Sequence, residues 1–372
     1  MEERYLLNIS TIQDWKEILT TDYPEYNEPL QFLCNISDVG IIAPSVLSAL
    51  FYLWFTLCII GNGFVLFILL KCETLKTVTN ICVLNLAFSD TIFALSLPFL
   101  AVYHSSEWIF GNAMCKIVNG VYFIGFYSSI MLLTILTLDR YLALVHPHLA
   151  LKIRTSGHAS MVVGTVWIIS ILVSIPAFLF HETCDVKGQG ILCEYPQHPD
   201  TRIRVWKLVS SFLQLGLFCL FPLIVNVFCY VRIIKVLLYC KGKRKHRAVK
   251  VILCIVFVFF LSWTPYNIMV LLKTFEELNV AYFIECEIRH KVDYALNVCH
   301  NITYFHCCIN PVFYAFIGAR FRSHLISLFS TGKVKRSSCI RQSVLSSGNA
   351  TAELSPSSSF IHPHSIALHE RN

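Results

Sequence analysis

Charge is what this chain has least of. Only 14% of its 372 residues are Asp, Glu, Lys or Arg, while 55% are hydrophobic. A soluble domain carries about one quarter charged residues, so the scarcity excludes an ordinary soluble protein and makes lipid the solvent for most of the chain. No apolar run with a basic leader precedes residue 45, so no cleavable signal peptide is expected, and the first apolar segment must serve as the insertion signal. There is no His-Glu-x-x-His pair and no glycine-rich phosphate loop, which leaves metal-protease and nucleotide chemistry without a constellation. Two similar halves with interrupted segments at matching positions, a mark of many transporters, are also missing. No enzyme is expected.

What is present is seven long uncharged runs. A helix needs about 20 apolar residues to cross a hydrocarbon core about 30 Å thick, and residues 45–70, 80–103, 117–138, 159–180, 208–231, 251–272 and 294–318 meet that requirement. Histidines apart, Asp90 is the one formal charge inside them. A charge at mid-span costs about 2.5–3.5 kcal/mol on insertion scales, so Asp90 stands there for function or packing. The expected fold class is an all-α membrane protein, a seven-transmembrane helix bundle over residues 45–318. Phe321, Leu325, Leu328 and Phe329 follow helical spacing and predict an amphipathic eighth helix on the membrane surface over residues 319–330.

Positive residues set the orientation. Lys71 and Lys76, Lys152 and Arg154, Lys241 to Arg247, and Arg320 with Arg322 follow the first, third, fifth and seventh runs, so those ends face the cytoplasm. Residues 1–44 form an arm on the other side with eight acids against two bases, a net charge of minus six. The sequons at Asn8 and Asn35 lie on this outer arm and are the expected glycosylation sites, whereas those at Asn301 and Asn349 fall in a span and in the cytoplasm. The expected location is the plasma membrane, multi-pass, with an extracellular N-terminus. Residues 331–372 form a disordered cytoplasmic tail with serines from Ser337 to Ser359.

Eight of the sixteen cysteines fall inside spans, where a thiol is a small apolar residue. Cys34, Cys115, Cys184, Cys193 and Cys286 lie outside, an odd number in an oxidising space. The economical pairing joins Cys115 to Cys193 and Cys34 to Cys286, with Cys184 left over or replacing Cys193. Cys339, in the basic tail, is a palmitoylation candidate or an ordinary thiol.

Specific polar residues sit at specific depths. Gly61-Asn62 with Val65, Leu86 with Asp90, Asp139-Arg140-Tyr141, Trp167, Pro222 with Tyr230, Trp263 with Pro265, and Asn310-Pro311-Val312-Phe313-Tyr314 occur in order, one set to a span. Together they resemble the rhodopsin-like G-protein-coupled receptors. Asn62, Asp90, Ser129 and Asn310 would face one another, giving the carboxylate hydrogen-bond partners and room for a sodium ion as allosteric ligand; the plainer reading is a polar network that only joins helices. No other metal or cofactor is expected. Asp139, Arg140 and Tyr141, with Asn310, Pro311 and Tyr314, would form the G-protein switch, Arg140 pairing locally at rest and turning to a partner when active. Pro222, Pro265 and Pro311 each remove a helical hydrogen bond and mark kinks.

Narrower features are Asp139 to Val145 (DRYLALV), His306 to Pro311 (HCCINP), Trp108 to Gly111 (WIFG) and the added Cys34 and Cys286 pair. These resemble chemokine receptors from Cys34 to Phe329. Ile124 to Ile130 (IGFYSSI) is similar to the CC-type members, and Lys243 to Lys250 (KRKHRAVK) to the lymphotactin, or XC-type, receptor. Two residues depart from the pattern: Ser96 replaces the threonine before the Pro98 kink, and His300 replaces the glutamate of CC-type receptors. An imidazole mostly neutral near pH 7 cannot hold a ligand amine by charge, which passes that task to rim acids such as Asp293, Glu285 or Glu287.

The resemblance implies a small basic chemokine as ligand, which an acidic arm would steer. Tyr23 and Tyr26, among acids, suit tyrosine sulfation. Tyr103, Tyr122, Trp263, Tyr266 and His300 would receive the ligand's N-terminus, although aromatic residues in a bundle also serve as packing or interface anchors. Inside, the resemblance implies a Gi heterotrimer, with a receptor kinase and arrestin at the serine-rich tail. The basic connection also suits anionic membrane lipid. No nucleic-acid partner is expected. The rivals are a receptor for another peptide ligand and a non-signalling chemokine scavenger.

Overall fold

A computed structural model of the chain describes residues 44–186, 190–196, 200–239, 243–280 and 286–317. The outer arm to residue 43, the segment 319–330 and the tail lie outside the described residues, so the sequons Asn8 and Asn35, Tyr23, Tyr26 and Cys34 do too. The described residues form seven helical passes. The first is α1 (Pro44–Lys71). The second is α2 (Val78–Ala94) followed by α3 (Leu97–Ser105). The third is the long α4 (Gly111–Val145), after which the short α5 (Pro147–Ile153) leads into the fourth, α6 (Ser156–Phe180). A hairpin of β1 (Glu182–Val186) and β2 (Gly190–Glu194) precedes the fifth pass, α7 (Thr201–Leu215), a π-helical turn at Gly216–Leu220, and α8 (Phe221–Tyr239). The sixth is α9 (Lys243–Glu277), and the seventh is α10 (Cys286–Thr303) with α11 (His306–Ile317).

Among the described residues, six passes are long and apolar enough to cross a membrane. The seventh is interrupted at Tyr304 and Phe305, and its outer half carries Glu287, Arg289, Lys291 and Asp293. Several helices outrun their apolar core. The third continues from 117–138 out to Gly111–Val145, because a helix keeps its own backbone bonds beyond the hydrocarbon layer.

The burial pattern is that of a bundle in lipid. Large apolar side chains such as Leu70, Ile168, Ile224 and Phe257 point outward, while Asn62, Ser89, Asp90, Ser128, Ser129 and Asn310 are buried in the interior. That is the arrangement expected when the surrounding solvent is hydrocarbon. The third pass is central, with α4 packed against α2, α6 and α8. Gly125 permits the close approach to α2, since a Cβ there would lie 2.7 Å from Phe93 Cβ and 2.8 Å from Phe93 Cα and N.

The breaks have local causes. Ser96 donates its hydroxyl to the Phe93 carbonyl at 2.7 Å just ahead of Pro98, and the second pass restarts there as α3. Pro222 cannot donate to the turn before it, where the helix widens into the π turn, and Asn226 Nδ2 caps the Pro222 carbonyl at 2.7 Å.

Candidate functional site

At the outer face, Cys115 at the start of the third pass is bridged to Cys193 on β2. Cys184 has no bridge and stands opposite Leu192 in the hairpin. The Trp108 to Gly111 segment holds this hairpin in place. Trp108 donates its backbone N–H to the Ile191 carbonyl at 2.8 Å, and Ile191 donates to Glu107 Oε2 at 2.9 Å. The Trp108 indole donates to the Gly111 carbonyl at 2.9 Å.

Of the five inward aromatic and histidine candidates, four meet. His300 Nε2 hydrogen-bonds with the Tyr122 hydroxyl at 2.8 Å and with the Tyr304 hydroxyl at 3.1 Å, and its ring stacks on Tyr266 at 4.8 Å between centroids. Tyr266 packs edge-on against Trp263 at 5.7 Å, and Trp263 stacks on Phe126 at 4.0 Å. Tyr103 stands apart. It packs on Trp108, accepts from the Cys193 N–H at 3.4 Å, and its hydroxyl lies 3.5 Å from Glu194 Oε1. Desolvation raises the Glu194 carboxyl above its usual range.

The rim acids are already engaged. Lys273 pairs with Asp293 at 2.6 Å and with Glu276 at 2.7 Å, Arg289 pairs with Glu276 at 2.9 Å, and Lys207 pairs with Glu277. Glu287 pairs with Lys291 at 2.6 Å, and Glu285 lies outside the described residues. Asp293 and Glu287, two of the acids expected to meet a ligand amine, each meet a lysine here. Bases on neighbouring turns and passes hold both carboxylates, and a ligand cation would have to displace Lys273 or Lys291. These ion pairs tie the fifth, sixth and seventh passes together, and no single-helix periodicity could have indicated them.

Midway through the bundle, Ser129 donates to Asp90 Oδ1 at 2.9 Å and Asn310 Nδ2 donates to Asp90 Oδ2 at 2.7 Å. Ser89 bonds to Ser128 and Ser129 and donates to the Gly125 carbonyl. Asn62 departs from the expected quartet. Its Nδ2 donates to the Cys58 and Cys307 carbonyls, both at 3.1 Å, because the outer end of α11 comes within its reach before the carboxylate does. His306, which the sequence reading did not single out, takes a place beside Asp90, its Nε2 lying 4.0 Å from Oδ1. The donor set fits a small hard cation such as sodium: a carboxylate, a hydroxyl, and the Asn62 Oδ1, which is buried with no hydrogen-bond partner.

At the inner end, the partner of Asp139 is Arg154, whose Nε lies 2.6 Å from Oδ1. Thr79 donates to Asp139 Oδ2 at 3.0 Å and accepts from Arg140 Nη2 at 2.9 Å. The Tyr141 hydroxyl bonds with His146 Nε2 at 3.0 Å, and the Tyr230 hydroxyl with Thr137 Oγ1 at 3.0 Å. Arg140 reaches α2 through Thr79, and the Asp139 carboxylate goes to an arginine from the following loop. Pro311 is buried against Gly61, and Tyr314 lies on α11.

Seven passes, a buried carboxylate at their centre and an Asp-Arg-Tyr set at one end define a membrane signalling receptor. The chain matches the family model "7 transmembrane receptor (rhodopsin family)" over residues 61–314, more than half its length, and belongs to that family. It is a multi-pass, G-protein signalling receptor, and members of this family are receptors rather than enzymes.

Proposed function

We propose that this receptor binds a small basic chemokine of CC or XC type at the outer face of a plasma membrane and activates Gi inside. The observation that carries the reading is the outer arm, residues 1–44, of net charge minus six, which contains Cys34; a strongly acidic segment speeds and orients the encounter with a basic protein. On this reading Cys34 bridges to Cys286, sulfated Tyr23 and Tyr26 deepen the negative charge, and Asn8 and Asn35 carry glycans. The ligand's N-terminus meets Tyr103 and the cluster of Tyr122, Trp263, Tyr266 and His300, with Asp293 exchanging Lys273 for a ligand cation. A sodium ion beside Asp90, held with Ser129 and Asn62, stabilises one state. Residues 319–330 lie on the membrane surface, and receptor kinase and arrestin act on the phosphorylated tail.

The test is a panel of CC, XC and CXC chemokines on cells expressing the chain, read as ligand-driven nucleotide exchange on Gi, with Arg140→Ala as control. A CC or XC chemokine should drive exchange, and Arg140→Ala should keep binding and surface expression while losing exchange. Binding without exchange by the unmodified chain would favour the scavenger reading. Exchange driven by a different peptide, with no chemokine bound, would overturn the proposal.

A further inference from the structure

We propose that Arg154 is a positioning residue that clamps Asp139 and Arg140 in the resting arrangement, so that the second inner loop sets how much the receptor signals without ligand. The inference rests on the chain's action as a G-protein receptor. Arg154 occupies a joint between two helices. Its backbone N–H closes α5 by donating to the Ala150 carbonyl at 2.9 Å, and the next residue, Thr155, opens α6 with its hydroxyl accepting from the His158 N–H at 3.3 Å. Both flanking helix ends therefore fix where its side chain starts.

From that joint the guanidinium reaches α4 in a two-point contact, Nε to Asp139 Oδ1 at 2.6 Å and Nη2 to Asp139 Oδ2 at 3.2 Å. The Asp139 side chain is only 2% exposed and that of Arg154 is 30% exposed. A planar fork on a buried carboxylate is the strongest form such a pair takes, and a lysine cannot reproduce it.

The clamp extends to Arg140 through Thr79. The Thr79 hydroxyl has one proton, which it gives to Asp139, leaving its lone pairs for Arg140 Nη2. Asp139, Arg154, Thr79 and Arg140 are thus one connected cluster joining α2, α4 and the α5–α6 joint. Without Arg154 the carboxylate is left buried and without its cation, which is costly, and the segment opens to admit water. Opening separates Thr79 from Asp139, and Arg140 loses the acceptor that Asp139 oriented. An uncharged amide at position 139 has the same consequence, because its N–H competes with Arg140 for the Thr79 oxygen.

The experiment compares Arg154→Ala, Arg154→Gln, Arg154→Lys, Asp139→Asn and the double variant Arg154→Ala with Asp139→Asn in the full chain, matched for surface expression. Ligand-free nucleotide exchange should rise about 5-fold in Arg154→Ala and Arg154→Gln, as for the loss of a half-buried ion pair, and less in Arg154→Lys. Asp139→Asn should match Arg154→Ala, and the double variant should exceed neither. Ligand-free exchange that is unchanged or lower in both Arg154→Ala and Arg154→Gln overturns the proposal, as does an additive double variant. A merely structural arginine would lower exchange together with expression. Amide hydrogen exchange on the purified receptor supplies a readout that needs no G protein. Residues 147–153 should exchange faster in Arg154→Ala and Asp139→Asn alike, and protection equal to the unmodified chain overturns the clamp. If the unmodified chain activates no G protein with any ligand, the receptor reading fails, and the clamp is still decided by the hydrogen exchange.

Discussion

Replacing His300 tests both the stability and the role of the outer cluster, because the imidazole has three separable partners. His300→Ala removes the hydrogen bonds to the Tyr122 and Tyr304 hydroxyls, at 2.8 and 3.1 Å, and the stack on Tyr266. Each buried hydroxyl that loses its partner costs about 1 kcal/mol or more, and an aromatic stack contributes about 1 kcal/mol. The sum is roughly 3 kcal/mol, which in a chain of this size lowers the thermal midpoint by roughly 5 °C. His300→Phe keeps the stack and loses both hydrogen bonds, so it should show about two thirds of that loss, whereas His300→Gln keeps a hydrogen-bonding group and should show about one third. The assay is thermal unfolding of purified receptor, paired with binding of whichever chemokine the panel identifies. His300→Ala that unfolds within about 1 °C of the parent, with unchanged affinity, would refute the reasoning. His300→Glu extends the series: with Asp293 and Glu287 already paired to Lys273 and Lys291, it would supply an uncommitted carboxylate facing two phenols. Affinity for a basic small-molecule antagonist of CC-type receptors should rise, and no change would mean that position 300 does not face the ligand.

Two further outcomes are expected. Gly125→Ala should destabilise the receptor by about 1–3 kcal/mol and reduce surface expression, since the new methyl meets Phe93 backbone atoms at 2.8 Å that cannot step aside; Gly164→Ala, which meets nothing within 4 Å, should be neutral or slightly stabilising. Cys34→Ser and Cys286→Ser should impair ligand binding equally, with the double variant no worse than either, and additive losses would show that the two cysteines act separately.

How much of this was legible in the chain depends on the range over which each residue acts. The passes were readable because a lipid-crossing helix announces itself by the local scarcity of charge, and Asp90 stood out as the one carboxylate that breaks the rule. Its contacts with Ser129 and Asn310 were readable too, since a buried carboxylate must find donors and few polar side chains share its depth. Asn62 shares that depth as well, yet its amide goes to two backbone carbonyls. Depth narrows the choice among partners of similar reach, and only the docking of one helix on another completes it. The Asp139-Arg140-Tyr141 set shows the same limit. Arg140 beside Asp139 suggests a local pair, but helical geometry aims consecutive side chains about 100° apart, so a neighbour in sequence is poorly placed to serve as a neighbour in space. The cation that meets Asp139 comes instead from residue 154, fifteen positions on, after the chain has turned through a short helix. In the sequence Arg154 counted only toward the positive charge that orients the chain. On the proposed clamp that same charge has a second task at Asp139, so Arg154→Ala should alter ligand-free signalling even where the remaining lysines and arginines suffice to keep the chain correctly inserted.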